Sequence, residues 1–198
     1  MIAELPAGFT DKVLSAQSTF RLVMDAMAHP GSVYQIATAV EAPRPLMPAS
    51  AALALTLCDH DTPIWLDRPM SEAPGLANWL KFHSGAPIVT DPSAASFALI
   101  ADGNALPELD SFSFGSAEYP DRSTTLLLQV ESLTQGQRYE LRGPGINGTV
   151  VLRAAIEDLF GRLAVNAASF PRGIDVVLIA GGEIVAIPRT TRLAAQGV

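Results

Sequence analysis

The sequence predicts a layered α/β fold, and three observations carry that expectation. Short apolar runs ("PIWL", "APIVT", "FALIA") alternate with helix-like stretches in the first half. The second half is mostly strand-like, with "TTLLLQV", "RYELRG", "GTVVL", "DVVLIAG" and "EIVAIPR" interrupted by one helical stretch. Apolar residues make up 48% of the 198 and charged residues only 17%, as expected of a globular chain with a large buried fraction. A chain of this length is expected to form one domain, residues 1–198, that buries roughly 70% of its extended-chain surface without a metal or disulfide staple.

The first helix is expected over residues 10–29, "TDKVLSAQSTFRLVMDAMAH", with Val13, Phe20, Met24 and Met27 on one face. Thr10 is a candidate N-cap, Phe9 can staple onto Leu14, and Pro30-Gly31 ends the helix. The Pro-rich "EAPRPLMP" reads as an ordered loop, and Ala49 to Asp59 as a buried helix rich in Ala and Leu. Then come the strand "PIWL", the helix "PGLANWLKFH" and the strands "APIVT" and "FALIA". "LPELDSFSFGSAEYPDRS" is irregular, and a late helix is expected at about 153–168.

"LRGPGINGTVVL" places Gly143, Gly145 and Gly148 in the spacing G-x-G-x-x-G. In a dinucleotide-binding turn a helix must open after the last glycine, because its N-terminus meets the pyrophosphate. Here the β-branched "TVVL" follows, so a hairpin-like turn between two strands is expected.

The charge of −7 argues against a partner such as long nucleic acid, which needs many phosphate contacts from a basic surface. It leaves room for one small anion. Only Lys12 and Lys81 are lysines, and the arginines that supply the remaining cations suit phosphate and carboxylate. Cys58 is alone, so no internal disulfide is expected. The start "MIAELPAGF" lacks the basic and apolar regions of a signal peptide, and no apolar run reaches membrane-spanning length. A cytoplasmic location is the expectation.

His83 stands at the expected end of a helix, where it can either serve the last carbonyls or do acid–base work. His60, in "CDHDTP", reads as a turn residue, and the three histidines and one cysteine have no metal-ligand spacing. "SAEYPDRS" packs Glu118, Tyr119, Asp121 and Arg122 into one loop before a strand, either as binding groups or as a self-satisfied turn. "PRTTR" places Arg189 and Arg192 around two hydroxyls after the last expected strand, and "FPRG" adds Arg172. There is no G-x-S-x-G elbow and no P-loop.

The segments "FRLVMDAMAHPG", "DHDTPIWLD", "FHSGAPIVTDPSAASFALI", "GSAEYPDRSTTLLLQV", "LRGPGI" and "IPRTTR" occur in an order that resembles the PhnH family of phosphonate metabolism proteins, components of the bacterial carbon–phosphorus lyase complex. The likeness runs from about residue 9 to residue 192. It implies a three-layer fold with a mixed sheet, similar to the major domain of pyridoxal-phosphate-dependent transferases. It also implies a cytoplasmic homodimer joined to subunits G, I and J of that complex. The assembly transfers a phosphonate onto the ribose of ATP, displaces adenine and leaves a ribose 1-phosphonate 5-triphosphate. His29 stands where relatives commonly carry Arg, and Ser84 where Thr is more usual. Neither Lys12 nor Lys81 lies in a recognisable Schiff-base setting, so neither pyridoxal phosphate nor any other cofactor is expected.

Two functions follow as expectations: a transferase subunit with a nucleotide or phosphonate pocket, or a scaffold that binds partner subunits and no small molecule. A free-standing enzyme using His83 with Glu118 would lack a nucleophile and a metal. If there is a pocket, the candidate ligand-binding set is His83, Glu118, Arg122 and Arg189, all near element ends. A symmetric dimer with a largely apolar interface is expected of the isolated chain. Light scattering at micromolar concentration should report twice the chain mass of 20.9 kDa.

Overall fold

The computed structural model describes residues 6–37 and 40–194. Seven strands form one mixed sheet: β1 (Tyr34–Gln35), β2 (Ile64–Leu66), β3 (Ile88–Val89), β4 (Phe97–Ile100), β5 (Thr125–Gln129), β8 (Asp175–Ala180) and β9 (Glu183–Ile187). Their order is β1-β9-β8-β5-β4-β2-β3. β3, β2, β4, β5 and β8 run parallel, while β9 and β1 add antiparallel neighbours at one side. A separate three-stranded antiparallel sheet has the order β10-β6-β7, from β6 (Gln137–Arg142), β7 (Val150–Ala154) and β10 (Arg192–Ala194).

Continuous apolar runs form the central strands because both faces are covered. Leu127, Val177, Ile179, Ile184 and Ala186 face a core shared with helices α1 (Lys12–Ala28), α2 (Pro48–Leu57) and α4 (Leu76–Ser84). Their neighbours Leu126, Leu128, Val176, Leu178, Val185 and Ile187 face a second core. That core also takes Tyr139, Leu141 and Leu152 of the small sheet and Leu159 and Leu163 of α5 (Leu159–Ala168). Side-chain alternation along each strand therefore produces one helical layer, one central sheet and one layer of small sheet plus helix. α2 begins with Pro48 in its first turn, where a missing N–H costs nothing, and Ala49 through Ala54 are all buried. Its small residues let α1 and α4 pack close.

The helix expected over 10–29 forms, but its details differ. Asp11, not Thr10, is the N-cap: its Oδ1 accepts from the backbone N–H groups of Val13 (3.1 Å) and Leu14 (3.0 Å). The buried stripe is Thr19, Val23 and Ala26. Val13 (66% exposed), Phe20 (48%) and Met24 (53%) lie on the outer face, and only Met27 of the expected set packs partly into the core. Leu14 is as exposed as Val13 while Phe9 is buried, so the expected staple does not cover Leu14.

The helix expected at 153–168 starts only at Leu159. Arg153 and Ala154 instead pair with Arg138 and Gln137 at the end of β7. β1, the short helix α3 (Arg68–Ser71) and β10 were not among the expected elements. At α3, Asp67 accepts from Met70 N–H (3.0 Å) and from Ala101 N–H (2.7 Å), which ties β2 to the end of β4. Burial raises the Asp67 carboxyl above its ordinary value against those two hydrogen bonds.

The glycine stretch joins β6 to β7 as an antiparallel connection, and no helix opens at Gly148. Gly143, Gly145 and Gly148 all have positive φ (148°, 79° and 77°). The turn also docks on the end of α1. A Cβ on Gly145 would collide with the Ala28 carbonyl oxygen and the Pro30 ring, and one on Gly31 would meet Leu141 at 2.6 Å. "AHPG" and "LRGPG" are thus two sides of one close contact, against backbone at Gly145 and against the Leu141 side chain at Gly31.

Gly145→Ala should cost at least about 2 kcal/mol, from left-handed strain plus that collision. Gly148→Ala has open space around it and should cost only the conformational part, about 1 kcal/mol. Urea midpoints of the two variants measure the difference. Burial, with the Asp59 charge adding, pushes the Cys58 thiol up to about 12. An acid raised in the folded state contributes nothing to the pH dependence below its unfolded value of roughly 8.5 and destabilises progressively above it. A thiol-reactive dye at pH 8 should therefore label Cys58 slowly in the native protein and at once in urea.

Candidate functional site

Arg189, just past β9, sits beside the N-terminal ends of β5 and β8, because β9 runs antiparallel to β8. Its guanidinium pairs with Asp175 at the start of β8: Nη2 to Oδ2 at 2.5 Å and Nε to Oδ1 at 3.2 Å. Nη2 also donates to Ser123 Oγ (2.7 Å), and Nη1 donates to the Pro120 carbonyl. The Arg189 backbone N–H donates to Asp175 Oδ1 at 2.7 Å. With the two side chains 15% and 14% exposed, this is a largely buried, bidentate ion pair.

Arg189 forms one wall of a cavity of about 360 Å³ whose other walls come from distant segments. Arg142 and Gly143 come from the end of β6, Ala167 and Phe170 from the end of α5 and just beyond, and Thr190 and Arg192 from the segment entering β10. Arg142 and Arg192 are register partners, directly opposite each other across β6 and β10. Like charges directly opposite in a ladder repel. Arg142 Nε donates to Thr149 Oγ1 (3.0 Å), and neither Arg142 nor Arg192 has a carboxylate partner among the described residues.

The local charge decides what this cavity prefers. Three arginines face one carboxylate, Asp175, and the C-terminal end of α5 contributes about half a negative charge. The balance is roughly +1.5, on a chain whose overall charge is −7. Such a site favours an anion with more than one charge. Thr191, between the two lining residues, is buried with its hydroxyl unpaired.

The candidate set divides in the structure. Arg189 holds the loop that carries Glu118 and Arg122 through Pro120 and Ser123, so these three residues share one neighbourhood. Arg122 lies over the Tyr119 ring, 4.3 Å from its centroid, and Glu118 is exposed with no ion pair among the described residues. His83 is engaged elsewhere. Its Nε2 donates to the Pro6 carbonyl (3.1 Å), which also accepts from Trp79 Nε1 (2.8 Å), and its ring packs on Trp79 and Phe82. That arrangement clamps the segment before α1 onto α4. In the sheet, β4 and β2 separate the β5 end from the β3 edge that His83 precedes.

Arg142 and Phe170 lie outside the candidate set, and the sequence offers Arg192 only as one of several arginines near element ends. "PRTTR" was expected to follow the last strand; instead Arg192 opens β10, and that pairing brings it to Arg142. At the opposite edge, where parallel strands more often present ligands, Gln129 is fully engaged. It accepts from Met47 N–H and Ser50 Oγ and donates to the Pro45 and Ala101 carbonyls. No group of His, Cys, Asp and Glu among the described residues is arranged to hold a metal. No helix among them is long and apolar enough to cross a membrane.

The family described as bacterial phosphonate metabolism protein (PhnH) matches residues 7–194. The chain is 48% identical over 187 residues to the alpha-D-ribose 1-methylphosphonate 5-triphosphate synthase subunit PhnH of Rhizobium meliloti (strain 1021), covering 93% of each chain. It is 31% identical over 183 residues to the putative C-P lyase subunit protein HtxG of Stutzerimonas stutzeri, covering 91% of this chain and 87% of that relative.

Removing one partner of a buried ion pair strands the other charge. Asp175→Ala should therefore cost roughly 3–5 kcal/mol, measured by denaturant unfolding. An exposed pair such as Arg68–Glu72 (2.8 Å), removed by Glu72→Ala, should cost well under 1 kcal/mol.

Proposed function

This chain belongs to the PhnH family of bacterial phosphonate metabolism proteins, and from that premise we propose what it contributes. It acts as a subunit of the carbon–phosphorus lyase assembly that transfers a phosphonate to the ribose of ATP and releases adenine, leaving a ribose 1-phosphonate 5-triphosphate. Its own part is to bind an anionic group of a substrate or product in the arginine cavity. The observation that carries this reading is the cross-strand pair Arg142–Arg192, two cations with no carboxylate partner among the described residues, beside a third that is locked in place.

In this reading Arg142 and Arg192 grip oxyanion oxygens, and Arg189 holds the wall against which they work. The loop with Glu118 and Arg122 forms the rim, and His83 keeps the segment before α1 in position. No residue is assigned a bond-making step. The chain works as a homodimer with subunits G, I and J in the cytoplasm, and its fold shares the layering of the pyridoxal-phosphate transferases without their cofactor.

A scaffold role is the second reading, and one observation favours it. Val13, Phe20 and Met24 form an exposed apolar stripe along α1, of the kind that partner subunits cover. The two readings separate in a reconstituted assembly. Arg192→Ala should lower kcat/KM about tenfold or more, the loss of one charge-assisted contact, while the mass of the assembly is unchanged. Full turnover by that variant in an intact assembly would support the scaffold.

A further inference from the structure

We infer that the outward face of the small sheet β10-β6-β7 docks an acidic face of a partner subunit, with Arg138 and Arg153 as its principal contacts. The inference rests on the reading of this chain as a subunit of a larger assembly. It does not rest on the arginine cavity, which takes up only one end of the same sheet.

Strand alternation separates the two faces of that sheet. Tyr139, Leu141, Leu152 and Leu193 point into the second core. Their neighbours Arg138, Glu140, Arg142, Val151, Arg153 and Arg192 therefore point away from it. Four of these six are arginines and one is a glutamate, so the face is positive on a chain whose overall charge is −7.

The pairing makes that excess costly. β6 and β7 set Arg138 directly opposite Arg153, just as β6 and β10 set Arg142 opposite Arg192. Like charges directly opposite destabilise a sheet. The two pairs are four residues apart along β6, about 13 Å, so the second lies outside the cavity and needs its own account. Glu140 answers Arg138, with Nη2 to Oε1 at 2.9 Å. Arg153 is exposed and makes no ion pair among the described residues. Carboxylates arriving from outside the chain remove the repulsion.

The face also has an apolar centre. Val151, 47% exposed, stands opposite Glu140 and so lies between the two arginine pairs. An uncovered β-branched side chain among arginines has the make-up of an interface, where arginine is enriched and often dominates the binding energy.

Symmetry and charge narrow the partner. In a symmetric dimer an interface patch meets its own copy, and here arginine would meet arginine. The face is therefore left for a different subunit. The overall charge opposes a long nucleic acid, and a folded surface bearing a few carboxylates does not meet that obstacle to the same degree.

The test measures association of the full chain with subunits G, I and J by biolayer interferometry, at low and at high salt. Arg153→Glu should weaken association about tenfold or more at low salt, and high salt should shrink the difference. The same change should raise the melting temperature of the free chain by about 1–4 °C, because opposite charges then face each other across β6 and β7. Arg153→Gln should weaken association by a smaller factor. Arg68→Glu, a charge reversal at an exposed site on the helical side of the central sheet, should leave association unchanged.

Association unmoved by Arg153→Glu or by salt, or weakened equally by Arg68→Glu, would overturn the docking surface and leave the subunit reading standing. So would a lowered melting temperature for Arg153→Glu combined with native association of Arg153→Gln, since the loss would then be one of folding. No association of the native chain with the other subunits would overturn the subunit reading and the docking surface together. A uridine oligonucleotide that binds the free chain more tightly than those subunits do, and is lost in Arg153→Glu, would overturn the protein partner in favour of nucleic acid.

Discussion

The ion pair between Arg189 and Asp175 holds together the part of the molecule where the candidate site lies. One guanidinium joins the start of β8, the segment leaving β9 and the loop at Pro120 and Ser123. Withdrawing both charges from water is expensive, and their attraction repays it only because the fork is bidentate and the remaining N–H groups find acceptors. Once fixed, Arg189 also sets the direction of the next three residues. The Thr191 N–H returns to the Pro188 carbonyl at 2.8 Å, and this turn delivers Arg192 into register with Arg142. The cavity is therefore a consequence of strand pairing anchored by a buried charge.

The proposed anion site would set local electrostatics against the charge of the whole chain. At physiological ionic strength, charges beyond about 8 Å are largely screened, so the −7 of the whole chain acts weakly on a ligand already at the cavity mouth. The arginines act at contact distance, where screening is least effective. The affinity of such a site would thus follow the local cluster, while the overall charge would slow the approach of an anion. Partner subunits that cover acidic surface would remove that handicap without touching the site.

Much of the fold was legible in the sequence because it depends on local pattern. The runs "FALI", "TLLLQ" and "DVVLIA" are strands buried on both faces, and Pro30-Gly31 and Gly85 stop helices as their chemistry requires. The orientation of α1 was not legible. Periodicity shows that Val13, Phe20 and Met24 share a face, but an apolar stripe kept for a partner has the same spacing as one kept for a core. The helix around residue 155 was over-extended because "AAIEDLF" has good helix formers, and cross-strand pairing of Arg153 and Ala154 overrides that preference. The site was least legible. Arg142 and Arg192 are 50 positions apart and meet only through β10, a three-residue strand too short to announce itself. His83 looked available because the acceptor its ring binds, the Pro6 carbonyl, lies 77 positions away in the chain.

The glycines show why spacing without context misleads, and they also connect the two surfaces of interest. In a dinucleotide-binding turn G-x-G-x-x-G serves the pyrophosphate through the helix N-terminus that follows it; here a strand follows, and the glycines answer to backbone geometry. Gly145 lets the β6–β7 turn lie against the Ala28 carbonyl at the end of α1, while Gly143 lies close to Thr190 and lines the arginine cavity. The strand leading into that turn carries Arg142. A continuous chain of backbone contacts therefore runs from the helix with the exposed apolar stripe to the strand that supplies one of the cavity's arginines. A partner seated on α1 would bear on the end of that helix, and the turn beyond it has no side chain at Gly145 to absorb a shift. The exposed apolar stripe of α1 and the arginine cavity are therefore linked through one close contact, at Gly145 and Ala28.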